Sequence, residues 1–452
     1  MKKELLLASL LGATLNGFSQ QKPNIVVLFV DDWGWADLGN RNSKFHTPNI
    51  DQLKKDGLEF TRAYISTATS SPSRATLLTG KEAVRMQMVR HIYENKEKGL
   101  ISTGGENNEF QYFANDPAKL PSRSYLPLKE VTYAERLKEM GYYNMFVGKW
   151  HLGEESHFPT KQGFDAMYGT CEHGHPSSYY PPFFKTNNPF PNAGKNEYLT
   201  DLVSAGAERF IKEYNKTQPF SLTVWYYGVH GPQVGRKDYV EQYKKEGLTG
   251  KDAEYAAMVS TVDESIGRIR LELKAKGIEK NTVIILYSDQ GGEFSNAPLR
   301  GGKIGGFTIC EGGSRVPLIV LYPGITKAGS VTETPVQNID IYPTIVEIAS
   351  GKKCKDKGVN GVSLMPILKG GNIKSRNLYF FRGYEDQYCA IMNGDWKLIK
   401  YHSGLFEFYN LKTDVGETTN LVDLEVKKAN KMKKELAEWE NEVVKNINKI
   451  NR

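Results

Sequence analysis

Asn24-Ile25-Val26-Val27-Leu28-Phe29-Val30 runs directly into Asp31-Asp32. An unbroken apolar run rich in Ile and Val, bounded by polar residues, is the pattern of a central parallel strand buried on both faces. Similar runs occupy 221–227, 282–287 and 317–322, with a shorter one at 143–147. Helical patterns lie between them, for example at 133–140, 253–276 and 339–350. Alternating strands and helices predict an α/β fold, a large sheet covered by helices on both sides. In such sheets the chemistry gathers at the carboxyl ends of the strands. The chemically suggestive residues fall there: Asp31 and Asp32, Lys149 and His151, His230, and Asp289 with Gln290.

After about residue 377 the pattern changes. Short β-rich segments at 378–381, 388–392, 396–401 and 405–411, with Asn393-Gly394 as a hairpin signal, predict a small antiparallel sheet. Met432, Leu436, Trp439, Val443, Ile447 and Ile450 are spaced by 4, 3, 4, 4 and 3, which predicts a closing amphipathic helix. The chain thus divides into residues 1–19, a catalytic α/β unit over 20–376 and a C-terminal α+β unit over 377–452. Lys2 and Lys3, an apolar run over 5–18 and small Ser19 read as a signal peptide, implying export to the periplasm or medium. No later run approaches the ~20 apolar residues of a membrane span. The net charge of +7 is weak evidence for a polyanionic partner, because eight Lys/Arg against four Glu place +4 of it on residues 427–452. No nucleic-acid partner is implied. The four cysteines form no C-x-x-C pair and no zinc pattern.

Ser70-Ser71-Pro72-Ser73-Arg74, followed by Ala75-Thr76-Leu77-Leu78-Thr79-Gly80, joins a hydroxyl to a proline turn, an arginine and an apolar helical run. A helix N-terminus offers free N–H groups to an oxyanion. The run resembles the signature C/S-x-P-S-R-x-x-L-L-T-G of the type I sulfatases, members of the alkaline phosphatase superfamily. Gly148-Lys149-Trp150-His151-Leu152-Gly153 resembles that family's G-K-W-H-L-G. His230 resembles its second histidine, and Lys303 followed by Glu311-Gly312-Gly313-Ser314-Arg315-Val316-Pro317 its lysine and E-G-G-x-R-V-P. Residues 411–421 are similar to its L-x-x-D-P-x-E-x-x-N-L, with Val415 in place of proline. Glu311 and Arg315 are expected to be structural.

The resemblance implies an alkaline phosphatase-like catalytic unit, a large mixed, mostly parallel sheet sandwiched by helices, whose position-70 residue is oxidised to Cα-formylglycine (3-oxoalanine) by a serine-type maturating enzyme. Adjacent buried carboxylates need a cation, and oxygen ligands suit calcium, with magnesium the alternative. The implied ligands of one ion are Asp31, Asp32, Ser70, Asp289 and Gln290, with Gln290 where the family has asparagine. The implied catalytic residues are Ser70, Arg74, Lys149, His151, His230 and Lys303. In that scheme a hydrate hydroxyl at position 70 attacks sulfur, His230 or Lys303 protonates the departing sugar oxygen, and His151 assists sulfate expulsion. His173 and His175, in a polar aromatic loop, are candidates to bind a uronate or a second sulfate. The insertion over 92–127 is a candidate pocket wall. The expected substrate is a sulfated carbohydrate: an algal polysaccharide such as ulvan or carrageenan, or a glycosaminoglycan. Two other readings stay open, a phosphomonoester or phosphodiester hydrolase of the same superfamily and a catalytically silent sulfated-glycan-binding protein.

Overall fold

The computed structural model describes residues 22–93, 99–103, 109–117, 120–445 and 447. The expected signal peptide and Ile450 lie outside them. The strands, in chain order, are β1 Asn24–Val30, β2 Leu58–Tyr64, β3 Leu100–Thr103, β4 Phe110–Phe113, β5 Ser122–Arg123, β6 Tyr143–Gly148, β7 Ala166–Tyr168, β8 Phe220–Trp225, β9 Thr282–Ser288 and β10 Arg315–Leu321. They continue with β11 Ser330–Thr332, β12 Val336–Gln337, β13 Asn377–Phe381, β14 Gln387–Asn393, β15 Trp396–Tyr401 and β16 Phe406–Asn410.

The main sheet runs β11-β2-β10-β9-β1-β8-β6-β7, with β12 also on β2. β1 pairs in parallel with both β8 and β9, and every residue of it is buried. Val26, Leu28 and Val30 enter the core beneath the helices Pro48–Asp56, Leu199–Glu213, Lys237–Lys245 and Gly250–Ala275. Ile25, Val27 and Phe29 enter the opposite core, beneath Ser70–Thr79, Tyr133–Glu139 and Ile341–Ser350. Each large side chain so buried contributes about 1.5–3 kcal/mol, so β1 is the spine of both layers.

The mixed, mostly parallel sheet is the one the sequence predicts, with one amendment. The run at 317–322 lies in β10, which is antiparallel to both β9 and β2. The chain between Ser288 and Arg315 carries no crossover helix long enough to return it to the starting edge, only the short turn Glu311–Ser314. It therefore re-enters the sheet from the edge it left, which forces the reversed direction.

β13 to β16 form the expected antiparallel sheet, and helix Val426–Lys445 lays Met432, Leu436, Trp439 and Val443 against it. The Trp439 ring stacks on Tyr379 at 4.8 Å. This sheet is bolted to the main one. Lys397, fully buried, bridges Glu311 at 2.9 Å and Glu417 at 3.1 Å, and Glu311 also accepts from the Tyr64 hydroxyl at 2.9 Å. Arg315 lies 3.4 Å from Glu311, so the expected structural pair is present. The insertion contributes a separate small sheet, β3-β4-β5.

Candidate active site

Four neighbouring strands, β9, β1, β8 and β6, end at one edge, and Asp289, Asp31-Asp32, His230 and Lys149 leave from it. Over that edge sits the N-terminus of helix Ser70–Thr79, all ten of whose residues are buried. Pro72 falls in its first turn, where a missing N–H costs nothing. Gly80 ends the helix in the left-handed region (φ 67°), and a Cβ there would press on Tyr342 at 2.9 Å.

The Ser70 hydroxyl lies among four charged groups: Asp289 Oδ2 at 2.9 Å, Asp31 Oδ1 at 3.3 Å, Lys149 Nζ at 2.9 Å and Arg74 Nε at 3.3 Å. Arg74 comes from the next turn of the same helix. It reaches Asp289 at 3.2 Å and Asp31 at 3.4 Å, and rests against the Trp225 and Phe29 rings. Lys149 also bonds Asp31, and Lys303 bonds Asp32 and, at 3.0 Å, Glu293. His230 Nε2 is 3.7 Å from Asp32. Gln290 donates from Nε2 to Asp32 Oδ1 at 2.7 Å, so its amide nitrogen, not its carbonyl oxygen, faces that carboxylate.

Oxygens of Asp31, Asp32 and Asp289 lie within 4.8 Å of one another, and all three groups are fully buried. Burial raises each carboxyl, yet Lys149 and Arg74 hold Asp31 well below the usual range. Burial pushes Asp32 up to about 6 against the pull of Lys303, and burial with the Asp31 charge drives Asp289 well up. Two of the three carboxylates are thus under-compensated by this chain's own cations. Their oxygen-only donor set fits a hard divalent ion. Burial, followed by Lys149 for His151 and Lys303 for His230, depresses both imidazoles well below 6.5. Neutral rings can take up a proton. His151 sits at φ 56°, its Nε2 is 2.9 Å from the Ile92 carbonyl, and its buried Nδ1 has no partner among the described residues.

The raised Asp32 pKa has a sign that can be tested. A carboxyl whose folded pKa lies above its ordinary value of 3.8 stabilises the fold at low pH, and that contribution is lost as pH rises through about 6. In chelator, the melting temperature is expected to fall between about pH 4 and about pH 6. The fall shrinks in Asp32→Asn and disappears when a divalent ion saturates the cluster, as differential scanning fluorimetry would show.

Of the two loop histidines, His175 is exposed and its ring lies parallel to that of His230, 5.2 Å away. His173 is buried, with Nε2 2.9 Å from the Thr186 carbonyl and its ring stacked on Phe184. Gly174 between them packs on the His151 ring, where a Cβ would come within 2.4 Å. Several residues escape the sequence reading. Glu293 fixes Lys303. The Tyr255 hydroxyl donates to the Asp32 carbonyl at 3.2 Å and to Asp37 Oδ2 at 2.5 Å. His91 Nδ1 approaches the Thr69 hydroxyl at 3.4 Å, and Arg382, from the far end of the chain, bonds the Ala68 carbonyl. Only proximity in the fold marks these; no local pattern does.

A nucleophile-bearing helix end set over carboxylates at the carboxyl edge of a mostly parallel sheet defines a hydrolase of charged esters. The chain belongs to the sulfatase family and is a sulfuric ester hydrolase: the family model described as Sulfatase matches residues 23–351. A second model, N-sulphoglucosamine sulphohydrolase, C-terminal, matches 307–443. A sulfatase of Formosa agariphila is 31% identical over 92% of this chain and 89% of its own length. The N-acetylgalactosamine-6-sulfatase of Mus musculus is 32% identical over 87% and 74%. Among solved structures, Ps i-CgsB in complex with k-i-k-neocarrahexaose superposes with a TM-score of 0.79 at 29% identity, covering 93% of each chain.

Proposed function

We propose that this protein is an exported, calcium-dependent sulfatase that removes sulfate from a sulfated glycan through a formylglycine formed from Ser70. The observation carrying the reading is the Ser70 hydroxyl, ringed at 2.9–3.3 Å by Asp31, Asp289, Arg74 and Lys149. The catalytic unit is 20–376 and the C-terminal unit 377–452. When bound, the ion and the converted residue supply a cation for the ester oxygens and an activated nucleophile. Asp31, Asp32 and Asp289 would hold the ion, and position 70 and Gln290, its amide turned to present the carbonyl oxygen, would complete its shell. Arg74, Lys149 and Lys303 surround the sulfate oxygens with fixed positive charge, which stabilises charge developing in the transition state. His230, once it has taken up a proton, or Lys303 protonates the departing sugar oxygen, and His151 takes a proton from position 70.

Charge counting favours a sulfate ester over a phosphate monoester, though not over a singly charged phosphodiester. Asp31, Asp32, Asp289 and Glu293 against Arg74, Lys149 and Lys303 leave −1, and a divalent ion makes the site +1. A sulfate monoester, with one negative charge, balances it; a phosphate monoester dianion does not. The described residues hold one metal-type carboxylate cluster, whereas a two-metal phosphatase needs a second ligand set. The relatives' names, N-acetylgalactosamine-6-sulfatase and a complex with a neocarrahexaose, support a glycosaminoglycan or an algal galactan such as carrageenan, with ulvan the further algal alternative. No helix among the described residues is long and apolar enough to cross a membrane, which is compatible with export led by residues 1–19.

The test is co-expression with a serine-type maturating enzyme. Peptide mass spectrometry over Ser70 should show loss of two hydrogens, and the calcium-loaded product should release sulfate from carrageenan, ulvan or glycosaminoglycan oligosaccharides. Fully converted protein that binds these glycans without releasing sulfate would establish the silent binder instead. Faster release of phosphate than of sulfate would establish the phosphatase.

A further inference from the structure

The residues flanking Ser70 are held by two distant parts of the chain. Arg382 of the C-terminal unit bonds the Ala68 carbonyl, His91 meets the Thr69 hydroxyl, and the Ile92 N–H donates to the Ser71 hydroxyl at 3.0 Å. The wall that comes with them is made of rings and guanidinium groups. The His91 ring lies 4.0 Å from Tyr93, and Arg90 and Arg382 lie 4.5 and 4.7 Å from the centre of the Tyr384 ring. So much arginine beside a sulfate pocket suggests a site for a second anion, but the charge is already spent. Arg90 is paired with Asp116, and Arg382 with Glu385 at 2.9 Å. Both guanidinium groups are buried, at 3% and 7% side-chain exposure.

His91 differs from its neighbours. Its ring is half-buried, its Nδ1 is engaged by Thr69, and its Nε2 has no partner among the described residues. Burial, with Arg382 and Arg90 next, drives its pKa down to about 3, and Lys303 and Lys149 lie close enough to add to the effect. The ring is therefore a neutral donor or acceptor against the residue that precedes Ser70, close enough to feel the charges of Lys149 and Lys303. A neutral imidazole backed by balanced ion pairs suits a hydroxyl group and gives an anion no compensating charge.

We propose that His91, through Nε2, is a specificity-determining residue that reads a free hydroxyl on the same sugar ring as the ester being cleaved. The substrate unit then carries a free hydroxyl at that position, and a second sulfate or a carboxylate there is rejected. This deepens the sulfatase reading and rests on it. A site built to hydrogen-bond a hydroxyl discriminates strongly against an analogue lacking it, because its own buried polar group is left unpaired.

The probes are galactose 4-sulfate, galactose 6-sulfate, their deoxy forms at the other position (6-deoxy and 4-deoxy), and galactose 4,6-disulfate, assayed by sulfate release with calcium-loaded, fully converted enzyme. Wild type is expected to favour the more rapidly hydrolysed monosulfate over both its deoxy and its disulfated counterparts by at least about 10-fold in kcat/KM. In His91→Ala that preference should collapse, mainly through KM, over and above any uniform loss that the missing Thr69 contact imposes on every probe. His91→Gln, which keeps a hydrogen-bonding end, should restore part of it. Equal turnover of hydroxyl, deoxy and disulfated probes by wild type would overturn the proposal and leave the sulfatase reading standing. So would a His91→Ala loss equal on all probes, the sign of a merely structural role. No sulfate release from any probe or polysaccharide would defeat both.

Discussion

Sulfate release by Asp31→Asn is expected to fall by at least about 1,000-fold, and removal of calcium from the wild type to do the same reversibly. Asp31 touches the Ser70 hydroxyl and both cations beside it, Arg74 and Lys149. Asparagine keeps its shape and removes its charge. Lys149, fully buried, then loses the partner that most offsets its desolvation, Arg74 keeps only the Asp289 carboxylate, and one of three carboxylates is gone from the ion site. Losing a single preorganised electrostatic contact typically costs about 2.7–4 kcal/mol of transition-state stabilisation, and here metal retention is lost as well. The measurement is kcat/KM on a released-sulfate assay, with the melting temperature and the bound calcium recorded for each variant. An Asp31→Asn enzyme that keeps a tenth or more of wild-type activity, or a wild type indifferent to chelator, would remove the metal role assigned to this cluster.

Lys397→Ala should cost about 3–5 kcal/mol of folding stability, the range for removing one partner of a buried charge pair. The ammonium sits between Glu311 and Glu417 at zero exposure. Glu417 also accepts from the Glu311 N–H at 2.7 Å, and the Tyr64 hydroxyl donates to Glu311. Burial lifts Glu417 despite the pull of Lys397, whereas Glu311, opposed by burial in the same way, is held down by Lys397 and Arg315. Without the lysine, two carboxylates are left in the seam between the two sheets. Denaturant unfolding would read the loss, and a midpoint within error of wild type would show that the seam tolerates uncompensated charge. Lys397→Met, which fills the volume, leaves the same carboxylates unpaired and should lose nearly as much.

How much of this was legible beforehand depended on whether a residue's chemistry or its neighbours gave it a role. Continuous apolar runs announced β1, β8 and β9 because strands buried on both faces have no polar side to alternate with. β2, Leu-Glu-Phe-Thr-Arg-Ala-Tyr, was missed because its polar positions interrupt the run. Those positions have partners elsewhere: Arg41 and Lys54 on Glu59, and Asp395 on Arg62. The direction of β10 was not legible, since a strand's sequence does not record which edge the chain enters from. Asp31, Asp32, Ser70, Arg74, Lys149 and Asp289 stand together in the structure, as their motifs led one to expect. The segment at 411–421 has a structural explanation. Asp414 caps the N–H groups of Thr418 and Thr419, Glu417 meets Lys397, and Asn420 accepts from the Phe408 N–H. His91, Glu293 and Arg382 had no such signal, because each acquires its role only from what folding sets beside it.

Ser70 is 5% exposed, and the helix it begins is covered along its whole length. An enzyme large enough to oxidise a side chain cannot reach this one once the two sheets have closed. The chemistry proposed for position 70 must therefore be finished on a nascent or unfolded chain, and folding then seals the result for the life of the molecule. A preparation refolded from unconverted chains would hold every group in its place and stay inert, with no later opportunity for repair.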